Sequence, residues 1–333
     1  MKTSIVITSI AGDQNPVLKK YAEESVLHDA NFILIGDTKS PDNFYLKNCD
    51  YYSIKDQARI NQIFAEKIPV RHYSRKNLGY LVAIKSGAER IVETDDDNLP
   101  ISDFWNFRNP VGKPQTNMAK GWVNVYRYFT EENIWPRGLP LDFIKKAVPG
   151  LMDGKERVSP IQQGLADGNP DVDAVYRLVQ NEKDIQFRKG EVALSHGSWC
   201  PFNSQNTTWF PDAYPLLYLP SYCSFRMTDI WRSFVAQRIA WTCGWEVLFH
   251  SATVFQERNE HDLMKDFSDE VPGYMNNKTI AEELEKLDLK NGIENIPDNM
   301  LKSYRKLISI GMVGQEEMAL LELWLSEIGK TNF

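Results

Sequence analysis

The sequence predicts an α/β chain, a mostly parallel sheet with flanking helices followed by a C-terminal helical segment, and three observations carry that prediction. Short apolar runs at 4–10, 31–35 and 90–93 alternate with amphipathic stretches, the pattern of strands joined by crossover helices. Helix-start chemistry sits between them: Asn15 is placed to cap and Pro16 suits a first turn. Beyond Pro272 the chain turns helical and polar, with residues 281–289 and 316–328 strongly amphipathic.

In order, the run at 4–10 is a strand and 17–27 a helix. Residues 31–35 form a second buried strand that ends on Gly36-Asp37. Residues 51–54 read as a third short strand, after which Asp56 caps a helix through Ile60 and Phe64. Leu78, Leu81, Val82 and Ile84 follow helical spacing, Gly87 closes that helix, and a strand at 90–93 follows at once. From 100 to about 195 aromatics, Pro and Gly become frequent and the alternation blurs. There Val172, Val175, Tyr176 and Val179 line one helix face, with Asp171 as the acid at its start. The divisions expected are 1–110, 111–270, and 271–333 as a helical tail suited to packing or self-association.

Composition narrows the function. With 333 residues, 42% hydrophobic and 12% aromatic, the chain can bury a large core. A net charge of −7 and a pI near 5.4 argue against general affinity for nucleic acid or anionic membrane. The opening residues do not read as a signal peptide, and no apolar run approaches the roughly 18 residues of a membrane span, so a cytoplasmic location is expected. Four cysteines without a Cys-x-x-Cys pair read as free thiols.

The chemistry centres on Glu93-Thr94-Asp95-Asp96-Asp97-Asn98. Three adjacent carboxylates repel one another and cannot pack in a core, so they belong at a cleft or a surface, usually with a cation. On an extended strand Asp95 and Asp97 point the same way and can share one divalent ion and the phosphates it carries. Such acids at the carboxyl end of a sheet strand stand where open α/β sheets bind ligands. Arg75-Lys76 precedes a helix start, which also favours anions, so a diphosphate could be held there. Residues 196–207, including Trp199, Asn203, Gln205 and Asn206, mix stacking faces with amides as sugar sites do. Asp171 and Asp173 form a second acidic cluster, Asp229 stands near a helix start, and Arg258 and His261 lie in a charged segment able to close over a diphosphate.

Taken together, Arg75-Lys76-Asn77-Leu78-Gly79-Tyr80-Leu81, the acid triplet, Pro201-Phe202-Asn203-Ser204-Gln205-Asn206-Thr207 and Asp229-Ile230-Trp231-Arg232 with Gln237-Arg238 resemble the STELLO family of glycosyltransferases over roughly residues 3 to 270. The resemblance implies a GT-A-like, Rossmann-type fold that takes a nucleotide-diphosphate sugar, UDP-sugars favoured. Asp95 and Asp97 would hold Mn²⁺ or Mg²⁺, with His261 as a third ligand. Thr8, Ser9, Asp37, Arg75, Lys76, Asp95, Asp96 and Arg258 would contact the donor. Asp171, Asp173, Trp199, Asn203, Gln205 and Asn206 would contact a glycan or other hydroxyl acceptor, and Asp229 would be the base. Residues 1–110 would then be the nucleotide-sugar-binding half and 111–270 the acceptor-binding and catalytic half, and the expected departures from the plant members are a missing membrane anchor and a separate helical tail. A nucleotide-sugar mutase and a non-catalytic scaffold are the competing readings; a nucleotidyltransferase is disfavoured, since the loop after the first strand holds only Gly12.

Overall fold

The computed structural model describes residues 1–180, 184–257 and 262–331. Its centre is an 11-stranded mixed sheet. The strands are β1 (Thr3–Thr8), β2 (Ala30–Ile35), β3 (Asp50–Tyr52), β4 (Arg90–Thr94), β5 (Asn98–Pro100), β6 (Gln115–Asn117), β7 (Leu151–Met152), β8 (Ile161–Gly168), β9 (Glu191–Leu194), β10 (Asn206–Trp209) and β11 (Val247–Gln256). Their spatial order is β3-β2-β1-β4-β10-β8-β11-β9-β6-β7, with β5 paired to β11. The first four run parallel, as expected from the alternating pattern. The second half mixes senses: β10 is antiparallel to both β4 and β8, whereas β8 and β11 are parallel. Beyond 100 each strand therefore alternates less regularly with helices, which is why the sequence pattern blurs there.

The main helices are α1 (Pro16–Leu27), α2 (Lys76–Lys85), α3 (Ala174–Val179), α4 (Thr228–Thr242), α5 (Leu263–Glu285), α6 (Ile296–Ser309) and α7 (Glu317–Gly329). Asn15 caps α1 as its position predicts, its side chain accepting from the N–H groups of Val17 and Leu18 at 2.9 and 3.0 Å. Two caps differ from expectation. Ser53, not Asp56, caps the short helix Ile54–Gln57, with Asp56 as the returning partner of a capping box. Asp173, not Asp171, caps α3.

Packing of α2 sets up the site. A Cβ on Gly79 would stand 2.6 Å from Val6 Cγ1 and 2.9 Å from Ile35 Cγ1, so only glycine lets this helix lie directly on β1 and β2. The start of α2 thereby reaches the carboxyl ends of those strands. Between the halves, Glu93 and Arg232 form a fully buried ion pair at 2.8 Å, and Trp209 Nε1 donates to the same carboxylate at 2.8 Å.

The tail is not a separate unit. The division drawn at 270 falls inside α5, which runs through Pro272 without a break. Trp324 is fully buried, with its ring centroid 6.0 to 6.5 Å from those of Tyr218, Phe64 and Tyr80. Glu317, also fully buried, accepts from the N–H groups of Ser221 and Tyr222 at 2.9 and 2.7 Å and from the Tyr218 hydroxyl. Among the described residues no helix is long and apolar enough to cross a membrane, and all four cysteines are free.

Candidate active site

A cavity of about 500 Å³ opens at the carboxyl ends of β1, β2 and β4. One wall carries Thr8, Ser9, Gly36 and Asp37 with the triplet Asp95, Asp96 and Asp97; the other carries Arg137, Asp171, Ser204, Gln205 and Asp229. Residues far apart in sequence thus meet where an α/β sheet offers its ligand crevice.

The triplet reaches the cavity by a turn, not by strand alternation. β4 ends at Thr94, and the N–H of Asn98 bonds the carbonyl of Asp95 at 3.3 Å. Each acid has its own support. Lys76 Nζ, fully buried, lies 2.7 Å from Asp95 Oδ1 and also donates to the carbonyls of Thr94 and Ser204. Ser9 Oγ donates to Asp96. Among the described residues Asp97 receives side-chain amides, Asn98 Nδ2 and Gln256 Nε2, both at 3.1 Å. Burial, then the neighbouring Asp95 charge, push the Asp97 carboxyl up to about 7. Burial also raises Asp95, against the pull of Lys76, and raises Asp96.

This is negative charge short of compensation. Two hard oxygen donors side by side, one of them with no cationic partner among the described residues, suit Mg²⁺ or Mn²⁺. Among the described residues no three His, Cys, Asp or Glu side chains form a metal-holding group. His261 and Arg258 lie outside the described residues.

The opposite wall is organised by Arg137. Its Nε and Nη2 grip Asp171 at 2.8 and 2.9 Å, while Nη1 and Nη2 reach Asp229 at 3.1 and 3.0 Å. Gly138 makes the approach possible: at φ +88° it turns the chain where a Cβ would stand 2.5 Å from Ile230 Cγ2 on α4. Against the cost of burial, Arg137 above all, with Arg232 and the Ser204 N–H, holds the Asp229 carboxyl down to about 2. At the rim, His72 and Phe225 pack edge to face with ring centroids 5.1 Å apart, and Tyr73 bonds Asp229 through its hydroxyl at 3.1 Å.

The remaining sequence-predicted residues divide clearly. Thr8, Ser9, Asp37, Asp171, Gln205 and Asp229 line the cavity. Arg75 touches its wall, but its guanidinium is engaged by Gln57 Oε1 at 2.7 Å and by the carbonyls of Ala65 and Ile68. Lys76 stands behind Asp95 as its brace. Asp173 caps α3 and accepts from Trp135 Nε1 at 2.7 Å, away from the cavity. Trp199 is core, 4.5 Å from the Trp241 ring centroid, and Asn206 is tied to Leu165 and Thr253 inside the sheet. Asn203 reaches the site only through Asp171, donating to Oδ2 at 2.8 Å. The stretch at 196–207 therefore supplies packing as well as cavity lining, through Ser204 and Gln205. Arg137 was missed because its partners are not its sequence neighbours; they lie 34 and 92 positions away.

The model of the STELLO glycosyltransferases matches residues 226–333. That match runs through α6 and α7, so the tail belongs to the region shared with the family and is not an addition to it. The Arabidopsis thaliana protein named "Probable glycosyltransferase STELLO2" is 31% identical over 268 residues, covering 73% of this chain and 34% of that protein. "Probable glycosyltransferase STELLO1" from the same plant is 29% identical over 245 residues, 66% of this chain and 31% of that one. The chain thus spans about a third of the length of these relatives. Among solved structures, glucosyl-3-phosphoglycerate synthase from Mycobacterium tuberculosis in complex with phosphoglyceric acid is a distant likeness, with a TM-score of 0.40 at 10% identity over 83% of this chain and 79% of that one. The family match and the plant relatives point to one family, and the chain is similar to the STELLO glycosyltransferases.

Proposed function

We propose that the protein is a metal-dependent glycosyltransferase of GT-A type that moves a sugar from a nucleotide-diphosphate donor, a UDP-sugar favoured, to a hydroxyl of its acceptor. The observation that carries this reading is one cavity holding an under-compensated acid triplet on one wall and an arginine-bound carboxylate pair on the other. The similarity to the STELLO glycosyltransferases points the same way.

In this reading Thr8, Ser9 and Asp37 face the nucleoside at the ends of β1 and β2. Asp95 and Asp97 would hold Mn²⁺ or Mg²⁺, whose charge, once bound, neutralises the departing diphosphate. Lys76 keeps Asp95 ionised and oriented from behind. The second wall faces the acceptor: Gln205 offers an amide, and one carboxylate of the Arg137-bound pair Asp171 and Asp229 takes the proton of the attacking hydroxyl.

A thermal-shift panel of UDP- and GDP-sugars with and without Mn²⁺ tests the reading. A Mn²⁺-dependent rise in melting temperature with at least one donor is expected; no shift with any donor would overturn it. Product analysis without an acceptor separates transferase from mutase, since a mutase isomerises the donor whereas a transferase at most hydrolyses it.

A further inference from the structure

Asp171 and Asp229 share one guanidinium but not the same freedom. Asp229 Oδ1 has Arg137 Nη1, the Tyr73 hydroxyl and the Ile230 N–H within 3.0 to 3.1 Å. Its Oδ2 has Arg137 Nη2 at 3.0 Å, the Ser204 N–H at 3.1 Å and the Ser204 hydroxyl at 3.4 Å. Six donor atoms converge on a carboxylate that offers about four lone-pair positions, leaving nothing for a substrate hydroxyl. Among the described residues Asp171 meets three: Arg137 Nε on Oδ1 at 2.8 Å, and Arg137 Nη2 and Asn203 Nδ2 on Oδ2 at 2.9 and 2.8 Å. One acceptor position stays open on a side chain that lines the cavity and is 13% exposed, against 4% for Asp229.

Resting on the transferase reading, we propose that Asp171 is the catalytic base, and that Asp229 is a positioning residue acting with Arg137 and Asn203. The acceptor hydroxyl gives its proton to Asp171 as its oxygen bonds the anomeric carbon. The bond from that carbon to the diphosphate oxygen breaks, and its electron pair leaves with the diphosphate. Attack by a deprotonated hydroxyl opposite the leaving group inverts the anomeric configuration. Saturated by its neighbours, Asp229 fixes the plane of Arg137, and Arg137 in turn fixes Asp171. A purely structural ion network would require no such asymmetry of donors between the two carboxylates.

The test compares Asp171→Asn and Asp229→Asn with the parent, using the UDP-sugar that gives the largest thermal shift, Mn²⁺, and water in place of the acceptor. Hydrolysis by Asp171→Asn should fall about 10²- to 10⁴-fold while the donor-induced shift is kept, which also shows that the variant folds. Azide attacks without giving up a proton, so it should restore turnover in Asp171→Asn with a glycosyl azide of inverted configuration, and fail to do so in Asp229→Asn. If Asp171→Asn is unstable, Asp171→Ser also removes the carboxylate while Arg137 stays paired to Asp229, and it should show the same loss and the same azide rescue. Parental turnover in the Asp171 variants, or azide rescue confined to Asp229→Asn, would overturn the assignment alone. A parent that no donor stabilises would overturn the transferase reading and the assignment with it.

Discussion

Lys76 Nζ stands 2.7 Å from Asp95 Oδ1 with its side chain wholly buried, so the first acid of the triplet is braced from inside the protein by a cation the chain carries itself. The ammonium also bonds carbonyls on both sides of the cleft, those of Thr94 and Ser204. Lys76→Met removes the charge while keeping most of the bulk. Because Asp95 is 39% exposed and water can partly replace its partner, a modest loss of stability, about 1–2 kcal/mol, is expected. With the ammonium gone, Mn²⁺ alone should raise the melting temperature of the variant more than that of the parent. Equal shifts would show that Lys76 and the metal do not compete for Asp95.

Glu93 and Arg232 offer a cleaner energetic test. Both are fully buried, and the carboxylate also takes Trp209 Nε1 and the Tyr80 hydroxyl. Removing one partner leaves the other charge stranded, so Arg232→Met should cost about 3–5 kcal/mol in chemical denaturation. Pairing it with Glu93→Gln should recover part of that loss; a double variant worse than the sum of the singles would contradict the pairing.

For the tail, Glu317→Ala should strand the N–H groups of Ser221 and Tyr222 and the Tyr218 hydroxyl, at a cost of about 2–4 kcal/mol. Deleting α7 should fail to give a folded protein, because it takes Trp324 out of the core shared with Phe64 and Tyr80. A truncated chain that melts cooperatively near the parent temperature would refute this.

His250 sets an acid limit on the fold. Burial, helped by the Arg108 charge, lowers its pKa to about 3, and burial lowers that of His72 to about 4. Between those values and about 6.5 the unfolded chain binds protons that the native chain refuses, so stability falls as pH drops through 6.5. At pH 5 His250 alone should cost about 2 kcal/mol relative to neutral pH. Denaturation midpoints measured at pH 7 and pH 5 should show this drop, and His250→Gln should flatten it. An unchanged slope in that variant would assign the acid sensitivity elsewhere.

The parallel half of the sheet was legible because β1, β4 and most of β2 are buried on both faces and its helices carry local start and stop chemistry at Asn15, Pro16 and Gly87. The triplet was legible because three adjacent acids have few other places to go. What could not be read was pairing at a distance. Arg75-Lys76 looked like a free basic pair, yet Gln57, two carbonyls and Asp95 occupy both side chains. Trp199 and Asn206 looked like sugar-binding groups, but Trp199 Nε1 is taken by Glu285 at 2.6 Å and the Asn206 amide by Leu165 and Thr253 within the sheet. Arg137 has no sequence signal, since its role exists only after β8, α4 and the loop around Gly138 meet. The family resemblance rested on residues of both kinds, because cavity-lining acids and buried braces recur in the same motifs.

The two sides of the cleft are stitched together beneath it: Tyr73 to Asp229 at 3.1 Å, Lys76 to Ser204 at 3.3 Å, and Asn77 to the carbonyl of Leu219 at 2.8 Å. A crevice sewn along its base cannot gape like a hinged shell. Entry and exit must then be governed by surface segments such as the one carrying Arg71 and His72, and single-molecule distance measurements between the halves should register a fixed separation whether or not a nucleotide is present.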